Sequence, residues 1–574
     1  MPSYNVSTIS TTPFLDQQPG TSGLRKRTAH FEKQQNYIEN FIASILECSV
    51  FKSRIPGSKL VIGGDGRYLC DVAIQKAVKI AAAYLASPNE KAHIMIAKDC
   101  LLSTPAASNV IRKYKCFGGL LCTASHNPGG PNADFGIKWN TENGGPAPLN
   151  VTESIFAASK ELHSYKIVSQ LEIDLSEISI TEITVNNCQV VIEVFDGIQD
   201  YLELMKTLFD FNFLKETIKQ FDISIVFDGL YGVSGPYASR IFSELGVPQE
   251  NLWHCQALPD FGASLGPLYG HPDPSLVWAK ELVHSVIDQH SHDFGFASDG
   301  DGDRNLQLSR GQFISPCDLI ALLVLYHKYI PQFGSGIPGA ARSMPTSAAL
   351  DDICKHMKLD YYVTPTGWKF FSNLLDADKI ALCGEESFGT SCNVHREKDG
   401  LWTVLAMLYT CCALSREQNR LVRPYDLCLN MWNLVGRRAF QRLDFEELPS
   451  DLAKTVFKNL EDICTNFHAA GLPVPAPCNL SLNSAENWSY TDPIDGSVVK
   501  NQGYSFTLSD TSRVVFRLSG TGSQGATIRI YVEKFVTRNY EQSTSDLTRE
   551  LVDFALKLSR IAEITGKSEP DVVT

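Results

Sequence analysis

One unit of secondary structure recurs three times along the chain, and this repetition constrains the fold more than any other feature. Between residues 59 and 123, short β-rich stretches alternate with stretches that have the spacing of an amphipathic helix. The strand candidates 223–228, 293–297 and 379–383 resume the pattern, and each runs into a polar loop that contains glycine. Alternating strands and helices are typical of α/β domains. We therefore predict three similar α/β domains with mixed sheets.

The end of the chain has a different pattern and predicts a smaller α+β domain. Strand candidates at 513–518 and 526–533 flank a glycine-rich loop, and 547–564 has the spacing of one long amphipathic helix. We expect disorder before Asp16 and an exposed loop at 334–341, which is rich in glycine and proline. The predicted domains are residues 1–195, 196–313, 314–430 and 431–574.

Charge and apolar patterning narrow the class of protein. The net charge of −13 argues against a nucleic-acid partner, which normally requires clustered lysine and arginine. The 16 cysteines include no C-x-x-C pair, so we expect buried free thiols in a reducing compartment. No secretory signal is visible, and the longest apolar run, 401–414, is too short to span a bilayer and predicts a core helix. We expect a cytoplasmic protein with no membrane partner.

The first loop whose residues could take part in a reaction is 123–130, which places Ser125 beside His126 after a buried strand. A serine at a strand end can act as a nucleophile or phosphoryl acceptor when a base lies near it. The same residues could equally form a capped turn with only local hydrogen bonds. The G-x-S-x-G pattern of hydrolases is absent, so the sequence does not support a hydrolase.

The second loop carries Asp299, Asp301 and Asp303, separated by glycines and followed by Arg304. Alternating carboxylates can converge on one hard cation when glycine lets the backbone fold back. An EF-hand is excluded, because no glutamate stands at the twelfth position and the loop follows a strand. A solvated acidic turn is the alternative, although three adjacent carboxylates repel one another. We predict a metal site here, with Mg²⁺ as the ion.

The third loop, 384–389, contains Glu385 and Ser387 directly after a strand candidate. Carboxylates accept hydrogen bonds from sugar hydroxyls, so this loop suits the recognition of a neutral polyol. Either glutamate of the loop could instead belong to the start of a helix. The pattern therefore leaves both interpretations open.

The fourth loop runs from Arg517 through Ser519 and Thr521 to Arg529. Hydroxyl groups, glycine backbone N–H groups and two arginines are suited to binding a phosphate. The loop is not a Walker A motif, because G-K-[ST] is missing. A glycine-rich hairpin turn is the alternative.

The four loops, in this order and with these sequences, strongly resemble those of the α-D-phosphohexomutase superfamily. Within it, the chain is most similar to the eukaryotic phosphoglucomutases of the glucose 1-phosphate type. The resemblance extends over nearly the whole chain, from 19–26 to 565–567. Further matching stretches between those ends are 61–68, 342–347, 365–371 and 396–401.

The resemblance implies four domains around a central cleft, and it implies roles for particular residues. Ser125 would carry a phosphoryl group and offer an oxygen to Mg²⁺, together with Asp299, Asp301 and Asp303. His126 and Lys138 are candidates for the general acid or base, and the sequence does not decide between them. The implied substrate-binding residues are Arg25, Arg304, Thr366, Gly367, Glu385, Ser387, Lys398, Arg517, Ser519, Thr521 and Arg529.

The resemblance also implies the reaction, in which glucose 1-phosphate and glucose 6-phosphate interconvert as part of glucose and glycogen metabolism. Glucose 1,6-bisphosphate would be both intermediate and activator, and the partners would be small sugar phosphates bound by a monomer. Two departures from the family pattern are Ala133, where glycine is expected, and residues 391–395, where Gly-Ser-Asp-His-Ile is expected. They leave two alternatives: a non-catalytic scaffold protein and a mutase for another sugar.

Overall fold

A computed structural model describes residues 1–20, 22–470, 476–477, 480–519 and 525–574 of the chain. These residues form two compact units. The first unit comprises residues 1–313, 328–335 and 387–424, and the second comprises 314–327, 336–386 and 425–574.

The first unit contains an eight-stranded mixed sheet, in agreement with the predicted α/β fold. Its three central strands, Lys59–Gly64, Ala92–Leu101 and Gly118–Cys122, are parallel and largely buried. Helices cover both faces of such a sheet, which explains the nearly continuous apolar character of these strands. In spatial order the strands are Ser3–Tyr4, Ser179–Val185, Cys188–Phe195, Ala92–Leu101, Lys59–Gly64, Gly118–Cys122, Asp134–Thr141 and Leu24–Arg27. The accompanying helices are Thr28–Lys33, Tyr37–Glu47, Cys70–Leu85, Thr104–Lys113 and Leu149–Ser159.

A second, five-stranded sheet of the same unit carries the acidic loop. Its parallel strands Ile225–Asp228 and Phe294–Ser298 are fully buried, and the acidic loop begins directly after the latter. The remaining strands are Leu252–Trp253, Asn305–Ser309 and Gln312–Ile314. The associated helices are Gly197–Leu208, Phe211–Gln220, Ser234–Glu244, Lys280–Val283 with its π-helical continuation His284–Asp288, and Gly400–Gln418.

The helix Gly400–Gln418 is the core helix predicted from the apolar run 401–414. It is buried over nearly its whole length and packs against the strand Asn305–Ser309. Among the described residues, no helix is both long and apolar enough to cross a membrane. The cysteines for which a position is described are free thiols, and most are buried, as expected.

The second unit begins with three parallel strands, and one of them corrects an expectation. The strand Gly339–Ser343 is fully buried and lies between Asp360–Thr364 and Leu382–Gly384. The exposed loop expected at 334–341 is therefore wrong over its second half. A side chain at Gly339 would meet the carbonyl oxygens of Asp360 and Lys379 at 2.7 and 2.8 Å, so this glycine serves close strand packing. The helices are Pro316–Leu325, Ala349–Met357 and Lys369–Asp376.

The end of the chain forms an antiparallel six-stranded sheet with helices, which is the predicted α+β domain. Its strands, in spatial order, are Leu482–Asn487, Tyr504–Leu508, Arg513–Ser519, Ala526–Val536, Arg437–Leu448 and Val572–Val573. Its helices are Pro424–Val435, Ser450–Ala470, Thr544–Ser559 and Ile561–Thr565. The single helix expected over 547–564 is thus two helices, because Arg560 has a left-handed conformation (φ 54°) that ends the first one.

The N-terminal residues are also more ordered than expected. Ser3–Tyr4 pairs with the strand Ser179–Val185, and Ser7–Ser10 pairs with Ser164–Ile167. The expectation of disorder before Asp16 is therefore wrong. The polar composition of this segment does not prevent strand pairing, because an edge strand pairs through backbone groups alone. The N–H groups of Thr184 and Asn186 donate to carbonyls of the segment.

The remaining elements are short. The first unit also contains the strand Thr390–Cys392. A small hairpin of the second unit pairs Tyr490–Thr491 with Val498–Val499. Single 3₁₀ turns occupy Gln249–Asn251, Ala263–Leu265, His327–Tyr329 and Pro331–Phe333. The predicted domain boundaries near 195, 313 and 430 stay a prediction.

Candidate active site

Ser125 is held in a backbone conformation that is rare for serine. Its φ of 53° lies in the left-handed region, and the residue is 3% exposed. Its N–H donates to Thr123 Oγ1 at 2.8 Å, and its carbonyl accepts from Arg67 Nη2 at 2.7 Å. Strained conformations of this kind persist where surrounding contacts enforce them, and they cluster at functional sites.

A buried ion pair supports the loop of Ser125 from behind. Asp65 and Arg67 have fully buried side chains, with Arg67 Nε 2.9 Å from Asp65 Oδ2. Asp65 Oδ2 also accepts from Thr123 Oγ1 at 2.7 Å. Neither residue is among the predicted site residues. A signal existed, since Gly64-Asp65-Gly66-Arg67 is another polar, glycine-bearing loop at the carboxyl end of a parallel strand.

The three aspartates of the second loop converge. One carboxylate oxygen from each of Asp299, Asp301 and Asp303 lies within 4.8 Å of the others, and all three residues are buried. Gly302 has φ 79°, so the backbone can turn between them. Asp299 Oδ1 accepts from the N–H groups of Asp303 and Arg304 at 2.9 and 3.0 Å. Burial excludes the solvated acidic turn.

The chemistry of this pocket fits a hard cation. Within the described part of the chain, the buried oxygens Asp301 Oδ1 and Asp303 Oδ1 have no hydrogen-bond partner. Burial raises the pKa of the Asp299 carboxyl well above its usual range, and the neighbouring carboxylates of Asp303 and Asp301 raise it further. Converging, unsatisfied carboxylate oxygens are the donor set that Mg²⁺ prefers.

The structure brings Ser125 to this acidic pocket. Ser125 Oγ donates to Asp299 Oδ2 at 3.0 Å, although the two residues are 174 positions apart. His126 Nδ1 lies 3.4 Å from the same hydroxyl. The hydroxyl therefore contacts both a possible base and a possible metal ligand. This arrangement exceeds what the capped-turn interpretation requires.

Lys138 is buried beside the site and contacts Glu397, which is not among the predicted site residues. Its Nζ forms an ion pair with Glu397 Oε1, which also accepts from Asn140 Nδ2 at 2.9 Å. Burial raises the pKa of Glu397, and the positive charge of Lys138 opposes this. The signal for Glu397 was its position beside Lys398 in a stretch that matches the family.

Three further predicted cations surround the acidic loop. Lys398 Nζ lies 2.8 Å from Asp303 Oδ2, and Arg304 Nη1 lies 3.4 Å from Asp273 Oδ1. Burial lowers the pKa of Arg25, and the carboxylates of Asp301 and Asp303 offset part of this effect. The structure therefore gathers the predicted cations of the first unit around its predicted metal ligands.

In the second unit, the predicted sugar loop lies beside the segment that contains Thr366. Glu385 is buried, and its Oε1 accepts from the N–H of Gly367 at 3.3 Å. Gly367 has φ 114°, a conformation that favours glycine. Ser387 is half-buried and begins the next segment of the first unit.

The two arginines predicted to bind phosphate are partners on adjacent strands. Arg517 pairs with Arg529 in the antiparallel register, and Ser519 lies two residues beyond Arg517. Arg517 Nη2 donates to Thr366 Oγ1, and Arg529 Nε lies 3.5 Å from the buried Asp444. Thr521 lies outside the described residues.

The two departures from the family pattern have ordinary surroundings. Ala133 does not need glycine, because its φ is not positive, and its carbonyl accepts from the N–H of Thr28 at 2.9 Å. In the altered segment 391–395, Ser391, Cys392 and His395 are completely buried. Asn393 is exposed and Val394 is half-buried, so three of the five altered residues belong to the core of the first unit.

Comparison with known proteins accounts for nearly the whole chain. Residues 16–166, 199–310 and 318–426 match α/β/α domains I, II and III of the phosphoglucomutase/phosphomannomutase family. Residues 437–571 match the C-terminal domain of phosphoglucomutase-1.

Individual relatives match over their full length. A phosphoglucomutase of Rhizobium radiobacter is 44% identical over 572 residues, which is 99% of this chain and 100% of the relative. A cytoplasmic phosphoglucomutase of Bromus inermis is 42% identical, with 100% of both chains covered. The crystal structure of a Paramecium phosphoprotein, pp63/parafusin, described as a phosphoglucomutase in its open form, has a TM-score of 0.89 at 39% identity and covers 100% of both chains.

These matches agree with the geometry of the site. They support phosphoglucomutase function, and they confirm the predicted class of three α/β domains followed by a separate C-terminal domain. An end-to-end likeness at this level of identity shows common descent, and the chain belongs to the phosphoglucomutase/phosphomannomutase family of phosphotransferase isomerases.

Proposed function

We propose that Ser125 carries the phosphoryl group that this enzyme moves between the 1- and 6-positions of glucose phosphate. The observation that carries the proposal is the 3.0 Å hydrogen bond from Ser125 Oγ to Asp299 Oδ2. It places a nucleophilic hydroxyl at a buried pocket of three carboxylates, which has no role in a simple turn. The enforced conformation of Ser125 supports the same role.

In the proposed reaction, phosphorylated Ser125 donates to the free hydroxyl of a bound sugar monophosphate. The bond between phosphorus and Oγ breaks, and a bond from phosphorus to the sugar oxygen forms. The proton of the sugar hydroxyl passes to a base, and Ser125 Oγ takes up a proton from an acid as it leaves. The product is glucose 1,6-bisphosphate, which turns round and returns its other phosphate to Ser125. Added bisphosphate would activate the enzyme by phosphorylating Ser125.

His126 and Lys138 are the two candidates for the base. His126 Nδ1 is 3.4 Å from Ser125 Oγ, which favours a role in proton transfer at the serine. Lys138 is buried and paired with Glu397, so it can supply positive charge near the reacting phosphoryl group.

Asp299, Asp301 and Asp303 would hold Mg²⁺ together with an oxygen of the phosphorylated Ser125. When bound, the ion would supply positive charge that stabilises the transferring phosphoryl oxygens. The chain's own cations, Arg25, Arg304 and Lys398, would orient the anionic substrate near the same loop.

The remaining proposed substrate contacts come from the second unit and from Ser387 of the first unit. Glu385 and the N–H of Gly367, with Thr366 and Ser387, would contact sugar hydroxyls. Arg517, Ser519 and Arg529, with Thr521, would bind the phosphate that is not transferred. Since the bisphosphate turns round, this part of the site must accept either phosphate, and adjacent arginines recognise charge more than ring orientation.

We also propose a cytoplasmic monomer that acts on small sugar phosphates. The relative from Bromus inermis is named cytoplasmic, which supports this location. The net charge of −13 supports a partner set without nucleic acid.

The test is a coupled assay for glucose 6-phosphate formed from glucose 1-phosphate, with Mg²⁺ and a trace of glucose 1,6-bisphosphate. Replacement of Ser125 with Ala removes the phosphoryl acceptor, so kcat should fall at least about 1,000-fold while the fold persists. Ser176→Ala is the matched control, because Ser176 is exposed and its hydroxyl donates to Asp174 of the same turn. The control should retain full activity.

Mass spectrometry gives a second measurement, since a tryptic peptide containing Ser125 should carry one phosphate after incubation with the bisphosphate. Full activity of the Ser125→Ala enzyme would exclude the proposed phosphoserine. A folded wild-type protein with no turnover on glucose 1-phosphate should be tried on mannose and N-acetylglucosamine phosphates. Inactivity on all three would favour the scaffold alternative.

A further inference from the structure

The segment 396–398 supplies two charged groups to the site and lies directly after the altered residues 391–395. Glu397 pairs with Lys138, and Lys398 lies 2.8 Å from Asp303. The backbone that carries them runs between the strand Thr390–Cys392 and the helix Gly400–Gln418. Whatever fixes this short turn therefore fixes the position of both charged groups.

His395 and Asp399 bracket the turn. Both side chains are completely buried, and His395 Nε2 lies 2.9 Å from Asp399 Oδ2. This distance is within the range of an ion pair, but the contact does not have the geometry of a hydrogen bond. The other ring nitrogen, His395 Nδ1, has no hydrogen-bond partner among the described residues. Burial of an imidazole is costly unless its polar contacts are used.

Asp399 also organises the start of the helix that follows. Its Oδ1 accepts from the N–H of Trp402 at 2.9 Å, which is an N-cap, and from Tyr201 Oη at 2.7 Å. The Tyr201 ring is stacked with the ring of His395, with centroids 6.4 Å apart. Tyr201 and His395 therefore approach the two oxygens of one buried carboxylate.

The helix start in turn contacts the acidic loop. The N–H of Gly400 donates to the carbonyl of Gly302 at 3.2 Å, and a Cβ at Gly400 would lie 2.3 Å from the carbonyl oxygen of Arg304. A shift of Asp399 would thus move the backbone against the predicted metal ligands, and it would move Lys398 at the same time.

We propose that His395 is a positioning residue, which holds Asp399 and thereby fixes Glu397 and Lys398 against Lys138 and Asp303. This inference rests on the proposed function of that site. His395 does not touch the substrate, and its effect passes through the turn. A misplacement of about 1 Å in a catalytic group can cost about 100-fold in rate, so a small change at His395 should be visible in turnover.

The experiment compares three substitutions in the full-length enzyme with glucose 1-phosphate as substrate. His395→Leu keeps the bulk and loses the contact with Asp399, so kcat/KM should fall about 10- to 100-fold. His395→Gln places an amide nitrogen near the position of Nε2 and should recover most of this loss. His395→Asn is a shorter amide that cannot reach Asp399 and should resemble the leucine variant.

A double-mutant cycle with Asp399→Asn tests whether the effect passes through Asp399. Asparagine retains an oxygen for the helix cap and removes the charge that His395 faces. The loss caused by His395→Leu should therefore be several-fold smaller in the Asp399→Asn background. Equal losses in both backgrounds would overturn the inference.

Thermal unfolding separates positioning from a purely structural role. A structural role alone would lower Tm and leave kcat/KM unchanged well below Tm, and it would give equal activities for His395→Gln and His395→Asn. Either result overturns the inference, and the comparison of the two amides applies even if His395→Leu does not fold. Wild-type turnover that is lost in Ser125→Ala shows that the proposed function holds, so a failure of the inference is distinct from a failure of that function.

Discussion

At the scale of single residues, the aspartates of the acidic loop are buried, and burial disfavours the charged form of a carboxyl. Asp301 is buried, and its Oδ2 accepts from Thr104 Oγ1 at 2.9 Å. Its Oδ1 has no hydrogen-bond partner within the described ranges. Burial and the neighbouring carboxylates of Asp303 and Asp301 make the charged form of Asp299 costly, as its raised pKa shows. The loop is therefore an arrangement that a bound ion would stabilise.

Replacement of Asp301 with Asn should destabilise the metal-free enzyme and weaken metal binding. Burial opposes the charge of Asp301, but Lys138, Lys398 and Arg25 outweigh this effect and hold the pKa of the carboxyl below its usual value. The substitution removes this stabilised charge, so the Tm of the metal-free enzyme should fall. It also removes a charged ligand, so Mg²⁺ affinity should fall at least about tenfold. The rise in Tm on adding Mg²⁺, measured by scanning fluorimetry, should shrink accordingly.

The control for this comparison is Asp553→Asn, on the exposed face of the helix Thr544–Ser559. It changes the net charge by the same amount and should leave the response to Mg²⁺ as in the wild type. A metal response of Asp301→Asn equal to that of the wild type would contradict the assigned metal site.

At the scale of elements, the site depends on how closely the helix Gly400–Gln418 approaches the acidic loop. Gly400 is the first residue of the helix and is completely surrounded: a Cβ there would lie 2.3 Å from Arg304 O and 3.0 Å from Ser298 Oγ. The nearest atom belongs to the backbone and cannot rotate away. Glycine is therefore required by this packing, although it is a poor helix former.

Gly400→Ala should destabilise the enzyme despite the higher helix propensity of alanine. The propensity gain is about 1 kcal/mol, whereas forced overpacking costs about 1–3 kcal/mol and displaces the acidic loop. We expect a lower free energy of unfolding in urea and a reduced kcat.

Gly334→Ala is the matched control, since Gly334 is exposed and an added Cβ would meet its nearest atom at 3.7 Å. Its free energy of unfolding should stay within about 0.5 kcal/mol of the wild type. Wild-type stability and kcat in Gly400→Ala would show that the helix start can move without consequence.

At the scale of the whole molecule, global stability depends on carboxylates that net charge does not reveal. Asp318 lies in the first turn of the apolar helix Pro316–Leu325 and is buried, with Trp432 Nε1 3.4 Å from its Oδ1. Burial raises the pKa of Asp318 to about 6, and Arg437 opposes this increase. The folded protein therefore binds a proton at Asp318 more tightly than the unfolded chain does.

This raised pKa gives a pH dependence with a definite sign. An aspartate in the unfolded chain has a pKa of about 3.9, so between that value and about 6 the folded state holds more protons and stability falls as pH rises. The contribution of Asp318 should be about 1 kcal/mol more favourable at pH 5 than at pH 8.

Urea unfolding of the wild type and of Asp318→Asn at pH 5 and pH 8 measures this contribution. Asparagine keeps an acceptor for Trp432 and does not titrate, so the stability of the variant relative to the wild type should increase between pH 5 and pH 8. A difference between the two proteins that is independent of pH would show that Asp318 has an ordinary pKa in the folded state.

The sequence alone was enough to predict three α/β domains, a final α+β domain and the loops that carry the chemistry. These features are local: hydrophobic period distinguishes strand from helix, and the carboxyl ends of parallel strands define where a polar loop can bind a ligand. Asp299, Asp301 and Asp303 could be predicted as a cluster because their spacing in the chain already brings them together. The break at Arg560 could not, because a left-handed residue other than glycine leaves no clear local signal.

The tertiary structure alone decided which distant residues meet. Ser125 contacts Asp299, which is 174 positions away, and Lys138 contacts Glu397, which is 259 positions away. Hydrophobic periodicity in the sequence does not predict contacts between such distant residues. Asp65 and Arg67 are only two positions apart, but their role appears only when Arg67 is seen bound to the carbonyl of Ser125. Burial gives these polar contacts their strength, since unpaired charges and dipoles are costly away from water, and burial is a property of the packed molecule.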